Sequence, residues 1–266
     1  MKKILLLLSA LFLVSRADAQ MAAWNFNGDN GATNTNRSAS IFNFNLDSSS
    51  LLTRGAGAAA STGTNSFRTT GFSNNGIAVT NTDYFQFTLS ASSGYTLSLN
   101  TIDAFMAGTA SYATNNGNAG VANQFAYSLD GSSFSLIGSA LVLTNTSLAL
   151  PQISLTNIND LQNVSAGTTL TFRFYASGQS GTGGWGFNSP NSGQNGLAIG
   201  GTLNPLVGAQ LYWSGGTWST NGPGTGGGGT WQNGVGSWDP ASQAVFGGTA
   251  GSVEASGTVT TSNGLA

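Results

Sequence analysis

The sequence predicts an all-β protein: an antiparallel jelly-roll β-sandwich over residues 20–205, followed by the start of a β-solenoid (β-helix) repeat over residues 206–266. Short runs of alternating apolar and polar residues, bounded by Gly, Asn, Asp and Ser, fill the first region. No window of it carries a convincing helical period with caps. After Pro205, glycine and tryptophan replace most aliphatic residues. Strands without intervening helices favour two packed antiparallel sheets.

The N-terminus has the pattern of a secretory signal peptide over residues 1–19. Lys2 and Lys3 precede an apolar run, and the small-x-small sequence Ala17-Asp18-Ala19 follows it. The apolar run has about half of the roughly 20 residues that a helix needs to cross a bilayer. We therefore expect cleavage before Gln20, no transmembrane segment, and a location outside the cell or on the bacterial cell surface.

Three segments of the predicted sandwich alternate most clearly. Their apolar side chains share one face, which we expect to form the core, and their polar side chains share the other. Arg173 falls on the outer face, where we expect it to pair with an aspartate of a neighbouring strand. The three core-facing sets are Phe42, Phe44 and Leu46; Phe85, Phe87 and Leu89; and Leu170, Phe172 and Phe174.

Further short strands are predicted before, between and after these segments. Asp130-Gly131 predicts a tight hairpin turn, because glycine takes the positive φ that such turns demand. Residues 157–164 allow one helical turn. The further strands are predicted at 24–27, 66–72, 95–99, 140–143, 152–155 and 196–203.

The first region also resembles a jelly-roll-like domain that is common in large exported bacterial proteins. The resemblance rests on AWNFNGDNG, LLTRGAGAAASTGTNSFRTTGFS, DYFQFTLSASSGYTLSL, YSLDGSSFSLIG and LTFRFYASG, and it covers about residues 20–205. These phrases mark an order of strands and not an active site, so the resemblance implies a fold and no chemistry.

The tail, residues 206–266, contains short repeated sequences. GGTWSTNG at residues 215–222 is echoed by GGTWQNG at residues 228–234, and Val253, Val259 and Leu265 recur at a regular spacing. Such recurrence is typical of a stacked β-solenoid. With its tryptophans followed by AVFGG and GSVEASGTVTTSNGL, the tail resembles the autotransporter-associated β-strand repeat. That resemblance implies a right-handed β-helical passenger displayed outside the cell. The pattern stops at Ala266, which predicts a truncated repeat.

The composition excludes much enzyme chemistry. The chain has no histidine and no cysteine, so imidazole bases, thiolate nucleophiles and the usual zinc sites are absent. Beyond the signal peptide, one glutamate and seven aspartates are scattered one to a segment, whereas glycoside hydrolysis needs two carboxyl groups about 5 to 10 Å apart. We expect a protein that is not an enzyme.

The charged residues of the chain limit the classes of partner that it can bind. Beyond residue 19 the cations are four arginines and no lysine, so nucleic acid and anionic lipid are poor candidates. The four are Arg37, Arg54, Arg68 and Arg173. Polysaccharide and other cell-surface components remain as candidate partners.

Four residues are candidates for ligand binding. Asp29, in NGDNGATN, could bind calcium with backbone carbonyls, although a plain Asx turn explains it as well. Trp185 and Phe187, in the glycine-rich GTGGWGFNSPNSGQNG, could lie exposed on a loop and stack on sugar rings. Tyr112 could do the same. The alternative for all three rings is packing back onto the sheet.

These observations predict a secreted or surface-displayed, non-enzymatic structural or adhesive protein of the autotransporter passenger type. The alternative is a carbohydrate-binding β-sandwich module that uses Trp185, Phe187 or Tyr112, with calcium at Asp29 as its only candidate cofactor.

Overall fold

Two antiparallel sheets form a β-sandwich in the computed structural model of the chain. The structure describes residues 20–30, 35–47, 51–108, 114–115, 118–144, 147–178 and 183–206, together with short strands at 211–213, 218–219, 244–246 and 253–254. The all-β prediction and the β-sandwich are confirmed over these residues. The predicted signal peptide lies outside them.

Nineteen strands and one 3₁₀ turn make up the described part of residues 20–206. The turn spans Asn159–Leu161, within the segment predicted to allow it. The strands are β1 Gln20–Trp24, β2 Arg37–Ser38, β3 Ile41–Phe42, β4 Leu51–Arg54, β5 Ala60–Ser61, β6 Ser66–Thr69, β7 Tyr84–Leu89, β8 Tyr95–Gly108, β9 Thr114–Asn115, β10 Asn118–Ala119, β11 Val121–Ser128, β12 Ser135–Leu136, β13 Leu141–Leu143, β14 Ser147–Ala149, β15 Ile153–Ser154, β16 Val164–Ser165, β17 Leu170–Ser177, β18 Trp185–Asn188 and β19 Leu197–Pro205.

The first sheet runs in the order β3-β1-β19-β8-β18-β6-β5, and β14, β15 and β16 also pair with β8. The second sheet runs in the order β12-β11-β17-β7-β4-β2, and β13 also pairs with β11. Strand β8 is 14 residues long and organises the first sheet, because five other strands pair with it.

The core between the sheets is built from aromatic rings. The predicted inward faces of β7 and β17 are confirmed, because all six side chains are at most 2 % exposed. Phe187 of the first sheet joins the two, with its ring centroid 5.6 Å from Phe85 and 4.8 Å from Phe174. Phenylalanine buries a large apolar area per residue, which suits a chain that has no disulfide to stabilise it.

The predicted inward face holds for Leu46 and in part for Phe42, which packs half-buried against the core, but it is wrong for Phe44. Strand β3 ends at Phe42, and Phe44 is 86 % exposed, whereas Leu46 is buried. The cause is Asn43: its side-chain Oδ1 accepts a hydrogen bond from the Asn45 N–H, and its backbone carbonyl accepts one from the Leu46 N–H. An Asx turn of this kind competes with strand pairing.

The predicted turn at Asp130-Gly131 is confirmed, but it lies within a connection of residues 129–134 between β11 and β12 and is not a tight two-residue hairpin. Gly131 has φ +71°, and the chain returns along β11 as β12. Asp130 Oδ1 accepts hydrogen bonds from the backbone N–H groups of Ser132 and Ser133. These bonds lower the pKa of Asp130 below its usual range, because they stabilise the charged carboxylate.

Four short strands are described after residue 206: β20 Leu211–Trp213, β21 Trp218–Ser219, β22 Ala244–Phe246 and β23 Val253–Glu254. They pair in parallel, β20 with β22 and β21 with β23. This differs from the sandwich, where every pairing of strands is antiparallel. Over the described residues, no helix has the length and apolar character that a membrane crossing requires.

Candidate functional site

The two candidate sugar-binding rings Trp185 and Phe187 are buried. Both lie on β18, between β6 and β8, and they are 1 % and 0 % exposed. The Trp185 indole Nε1–H donates to Asn123 Oδ1 at 2.8 Å. Of the two interpretations, packing onto the sheet is correct for both rings and display on a loop is wrong, so neither ring face can stack on a sugar in this fold. Tyr112 lies outside the described residues.

The glycines around these rings have a packing role that the sequence did not reveal. Gly186 pairs with Arg68 of β6, and a Cβ at position 186 would overlap the carbonyl oxygen of Phe67. Glycine here allows β18 to approach β6 closely and does not mark a loop.

Asp29 forms an ion pair instead of a calcium site. The Arg37 Nε lies 3.3 Å from Asp29 Oδ2, and the Asp29 N–H closes a backbone turn onto the Phe26 carbonyl. A guanidinium beside the carboxylate repels a second cation. Over the described residues, no three His, Cys, Asp or Glu side chains come together as metal ligands. The residues present therefore do not fit the predicted calcium ion.

Arg54 joins the two sheets at their edge. Its guanidinium lies 3.6 Å from the centroid of the Phe67 ring, and Nη1 donates to the Arg68 carbonyl at 2.7 Å. Burial lowers the pKa of Arg54 to about 10, which leaves it charged at neutral pH. Burial also lowers the pKa of Arg68.

Arg173 is held by rings and an amide. Its Nε donates to Gln86 Oε1 on β7 at 2.9 Å, and its guanidinium lies 3.9 Å from the Tyr84 ring and 3.8 Å from the Phe134 ring. The expected aspartate partner is therefore wrong, although the pairing with a neighbouring strand is right. Together with Arg37 and Arg54, this arginine has a structural position in the sandwich.

The aspartates with side-chain contacts are bound to separate partners. Burial raises the pKa of Asp83, whose carboxylate accepts a hydrogen bond from Asn74. None of the contacts below joins two carboxylates, so they do not create the pair that acid–base chemistry on a glycoside would use. The contacts are Asp29 with Arg37, Asp83 with Asn74, Asp103 with Gln152, Asp130 with Ser128, and Asp160 with Tyr127.

A groove of about 630 Å³ opens on the outer face of the first sheet. One row of paired residues crosses this face: Ile41 on β3, Ala23 on β1, Ala198 on β19 and Asp103 on β8. Paired residues point to the same side of a sheet, and in this row Ala198 places a small side chain beside Asp103. Ile41, Ala198 and Asp103 line the groove.

Polar and apolar side chains from distant parts of the chain complete the groove. Residues 190–195 form one wall through Pro190, Gly193, Gln194 and Asn195, and Phe105 stands two residues after Asp103 on β8. Asn195 Nδ2 donates to Gln20 Oε1 at 2.8 Å, which ties this wall to the start of β1. Sequence reasoning missed the groove, because its parts meet only after β1, β8 and β19 pair.

Comparison of the chain with protein-family models and with curated proteins finds no match in either case.

Proposed function

We propose that the protein is a secreted or surface-displayed structural or adhesive protein without enzymatic activity, built as a jelly-roll sandwich followed by a β-solenoid passenger segment. The observation that carries this proposal is the parallel pairing in the tail. Leu211 pairs with Ala244 and Trp218 pairs with Val253, so the two pairings enclose nearly equal lengths of chain. Coils of nearly constant length that stack in parallel are the defining geometry of a solenoid.

The sandwich supports the jelly-roll part of the proposal through its connections. The chain crosses repeatedly between the sheets: β1 and β3 belong to the first, β2 and β4 to the second, β6 and β8 again to the first, and β7 and β11 to the second. Such crossing is typical of jelly-roll sandwiches, in which successive strands alternate between two antiparallel sheets.

The charged groups support a role without turnover. Arg37, Arg54 and Arg173 bind within the fold. The five aspartates with side-chain contacts named above each contact a different partner. A catalytic site needs such groups to converge on a substrate. The predicted signal peptide and the resemblance of the tail to autotransporter repeats support export and display.

Export is tested by expressing the full chain in a bacterial host and sequencing the N-terminus of the product found outside the cytoplasm. We expect a mature chain that begins at Gln20. A full-length chain retained in the cytoplasm would contradict secretion.

The tail is tested by amide hydrogen exchange on the exported chain, followed by mass spectrometry. We expect peptides that contain β20 to β23 to exchange more slowly than the same peptides of the urea-unfolded chain, because strand pairing protects amides. Equal, immediate exchange of all tail peptides would contradict the solenoid.

Adhesion is tested by the retention of protein-coated beads on polysaccharide-coated glass, with albumin-coated beads as the control.

A further inference from the structure

The outer groove of the first sheet has the chemistry of a ligand site. Its lining combines side-chain amides, one carboxylate, one aromatic ring and small apolar side chains. We propose that this groove binds a neutral saccharide, as a segment of a polysaccharide or of a glycan on another surface. The inference deepens the adhesive role proposed above, and it rests on that role only for the location outside the cell.

Each polar side chain that lines the groove makes one hydrogen bond, either to another lining residue or to a neighbour just outside the groove. Gln152 Nε2 donates to Asp103 Oδ1 at 2.9 Å, and Asn195 Nδ2 donates to Gln20 Oε1 at 2.8 Å. On the loop that forms the wall, Asn191 Nδ2 donates to Gln194 Oε1 at 2.9 Å. Ordered polar groups lose less conformational entropy on binding than mobile ones.

These contacts use only part of the hydrogen-bonding capacity of the groups. A carboxylate offers about four acceptor positions, and a primary amide offers two donors and two acceptor lone pairs. The bonds above occupy one position each of Asp103, Asn195, Gln20 and Gln194. A sugar hydroxyl both donates and accepts, so neighbouring hydroxyls of a saccharide match a wall of amides and a carboxylate.

The apolar part of the groove complements the carbon-bound face of a sugar ring. Phe105 is half-buried, and Ile41 keeps 43 % of its surface exposed. Ala198 places a small side chain beside Asp103 in the same row, which leaves room above the sheet. Small-ligand sites commonly combine apolar walls with a few convergent polar groups.

Charge selects against anionic ligands. Asp103 is the one ionisable side chain among the residues that line the groove, and none of these residues is an arginine or a lysine. Cleavage before Gln20 adds one α-amino group at the start of β1, which at most balances Asp103 and leaves no net positive charge to attract an anion. Phosphate, sulfate and uronate groups bind most strongly to arginine or lysine donors, which the lining lacks, and the Asp103 carboxylate repels them. The ligand class that fits is therefore an uncharged saccharide.

The ligand class is tested on a glycan array that carries neutral oligosaccharides beside their sulfated and uronic-acid counterparts. The chain is used after export, because Gln20 lines the groove and follows the predicted cleavage site. We expect binding to at least one neutral series and none to the acidic counterparts. A silent array, or binding to acidic glycans alone, would overturn the proposal.

The site is tested by titration calorimetry with the strongest neutral ligand of the array. Phe105→Ala removes the ring, and Asp103→Asn keeps the shape and the Gln152 contact but replaces an acceptor by a donor. We expect the first variant to weaken affinity at least tenfold and the second at least threefold. Phe44→Ala is the matched control, because Phe44 is 86 % exposed and does not line the groove; its affinity should stay within twofold.

Thermal unfolding of each variant separates loss of fold from loss of binding. If Phe105→Ala unfolds, the affinity of the Asp103→Asn variant still tests the site. Binding that is unchanged in both groove variants would overturn the site. A chain that binds neutral glycans but stays inside the host would contradict secretion alone, whereas an exported chain that binds no glycan would contradict the groove alone.

Discussion

Replacing Phe187 with alanine tests whether this ring belongs to the core or to a binding surface. In the structure the ring is fully buried, and its centroid lies within 6.4 Å of four other rings. The four are Phe26, Phe85, Phe125 and Phe174. Three of them belong to the opposite sheet through β7, β11 and β17, so the deletion opens a cavity between the sheets.

The expected loss is large. Deletion of a buried phenylalanine ring costs about 3 to 5 kcal/mol, through the lost transfer free energy and the cavity that remains. For a domain of about 150 to 250 residues, each kcal/mol lowers Tm by about 2 to 4 °C, so Phe187→Ala should lower Tm by about 6 to 20 °C. Such a loss is a large fraction of the stability of a typical domain, which is about 5 to 15 kcal/mol.

Urea unfolding, followed by circular dichroism of the exported chain, measures this loss. Phe44→Ala is the matched control, because the same ring is removed from a residue that is 86 % exposed, and its free energy of unfolding should change by no more than about 0.5 kcal/mol. If Phe187→Ala were as mild as Phe44→Ala, the aromatic core described above would be wrong.

Three further changes test other parts of the fold. Arg54→Lys removes the planar guanidinium that stacks on Phe67 and donates to the Arg68 carbonyl. It should lower the free energy of unfolding, measured by urea titration, by about 2 kcal/mol. An unchanged free energy of unfolding would exclude a stabilising contact of Arg54 with Phe67 and Arg68. Burial raises the pKa of Asp83 in the folded state, so its contribution to stability is greatest below its ordinary pKa of about 4 and is lost as the pH rises through the raised value. Asp83→Asn should therefore raise Tm at pH 7, with a gain that shrinks toward pH 3; a gain independent of pH would contradict this cause. Gly186→Ala should sharply lower Tm, because the new Cβ overlaps the Phe67 carbonyl, and a wild-type melting curve would refute the close approach of β18 to β6.

Strict alternation was enough to predict part of the sandwich. In β7 and β17, the side chains at every second position are apolar and large, and burying them on one side leaves Gln86 and Arg173 on the other. Period-2 alternation fails where a side chain competes for the backbone, as Asn43 does after β3. The sequence therefore predicted the central strands better than the strand that begins near Ile41.

The candidate site could not be predicted from local patterns. Glycines around Trp185 suggested a flexible loop, whereas Gly186 serves the close packing of a central strand. The indole nitrogen finds its partner in Asn123, 62 residues away along the chain. Spacing in the sequence carries no information on such a contact.

The groove and the strand pairing of the tail also could not be predicted from the sequence, because both depend on residues that are far apart along the chain. Gln20, Asp103 and Asn195 line one groove because the strands that carry or adjoin them pair in the first sheet. In the tail, the short repeats of the sequence did not predict that β20 pairs with β22, or β21 with β23. Pairing across that distance depends on the path of the chain between the strands.

Hydrogen exchange of the tryptophan indole N–H groups tests most directly whether the aromatic side chains form a buried core. In the structure, Trp24 Nε1–H donates to the Arg37 carbonyl at 3.1 Å, and Trp185 Nε1–H donates to Asn123 Oδ1. Both rings are at most 1 % exposed. We predict that these two indole signals, assigned by Trp→Phe substitution, persist for hours in heavy water by NMR. Complete exchange of the Trp185 signal within the first spectrum would contradict the buried core.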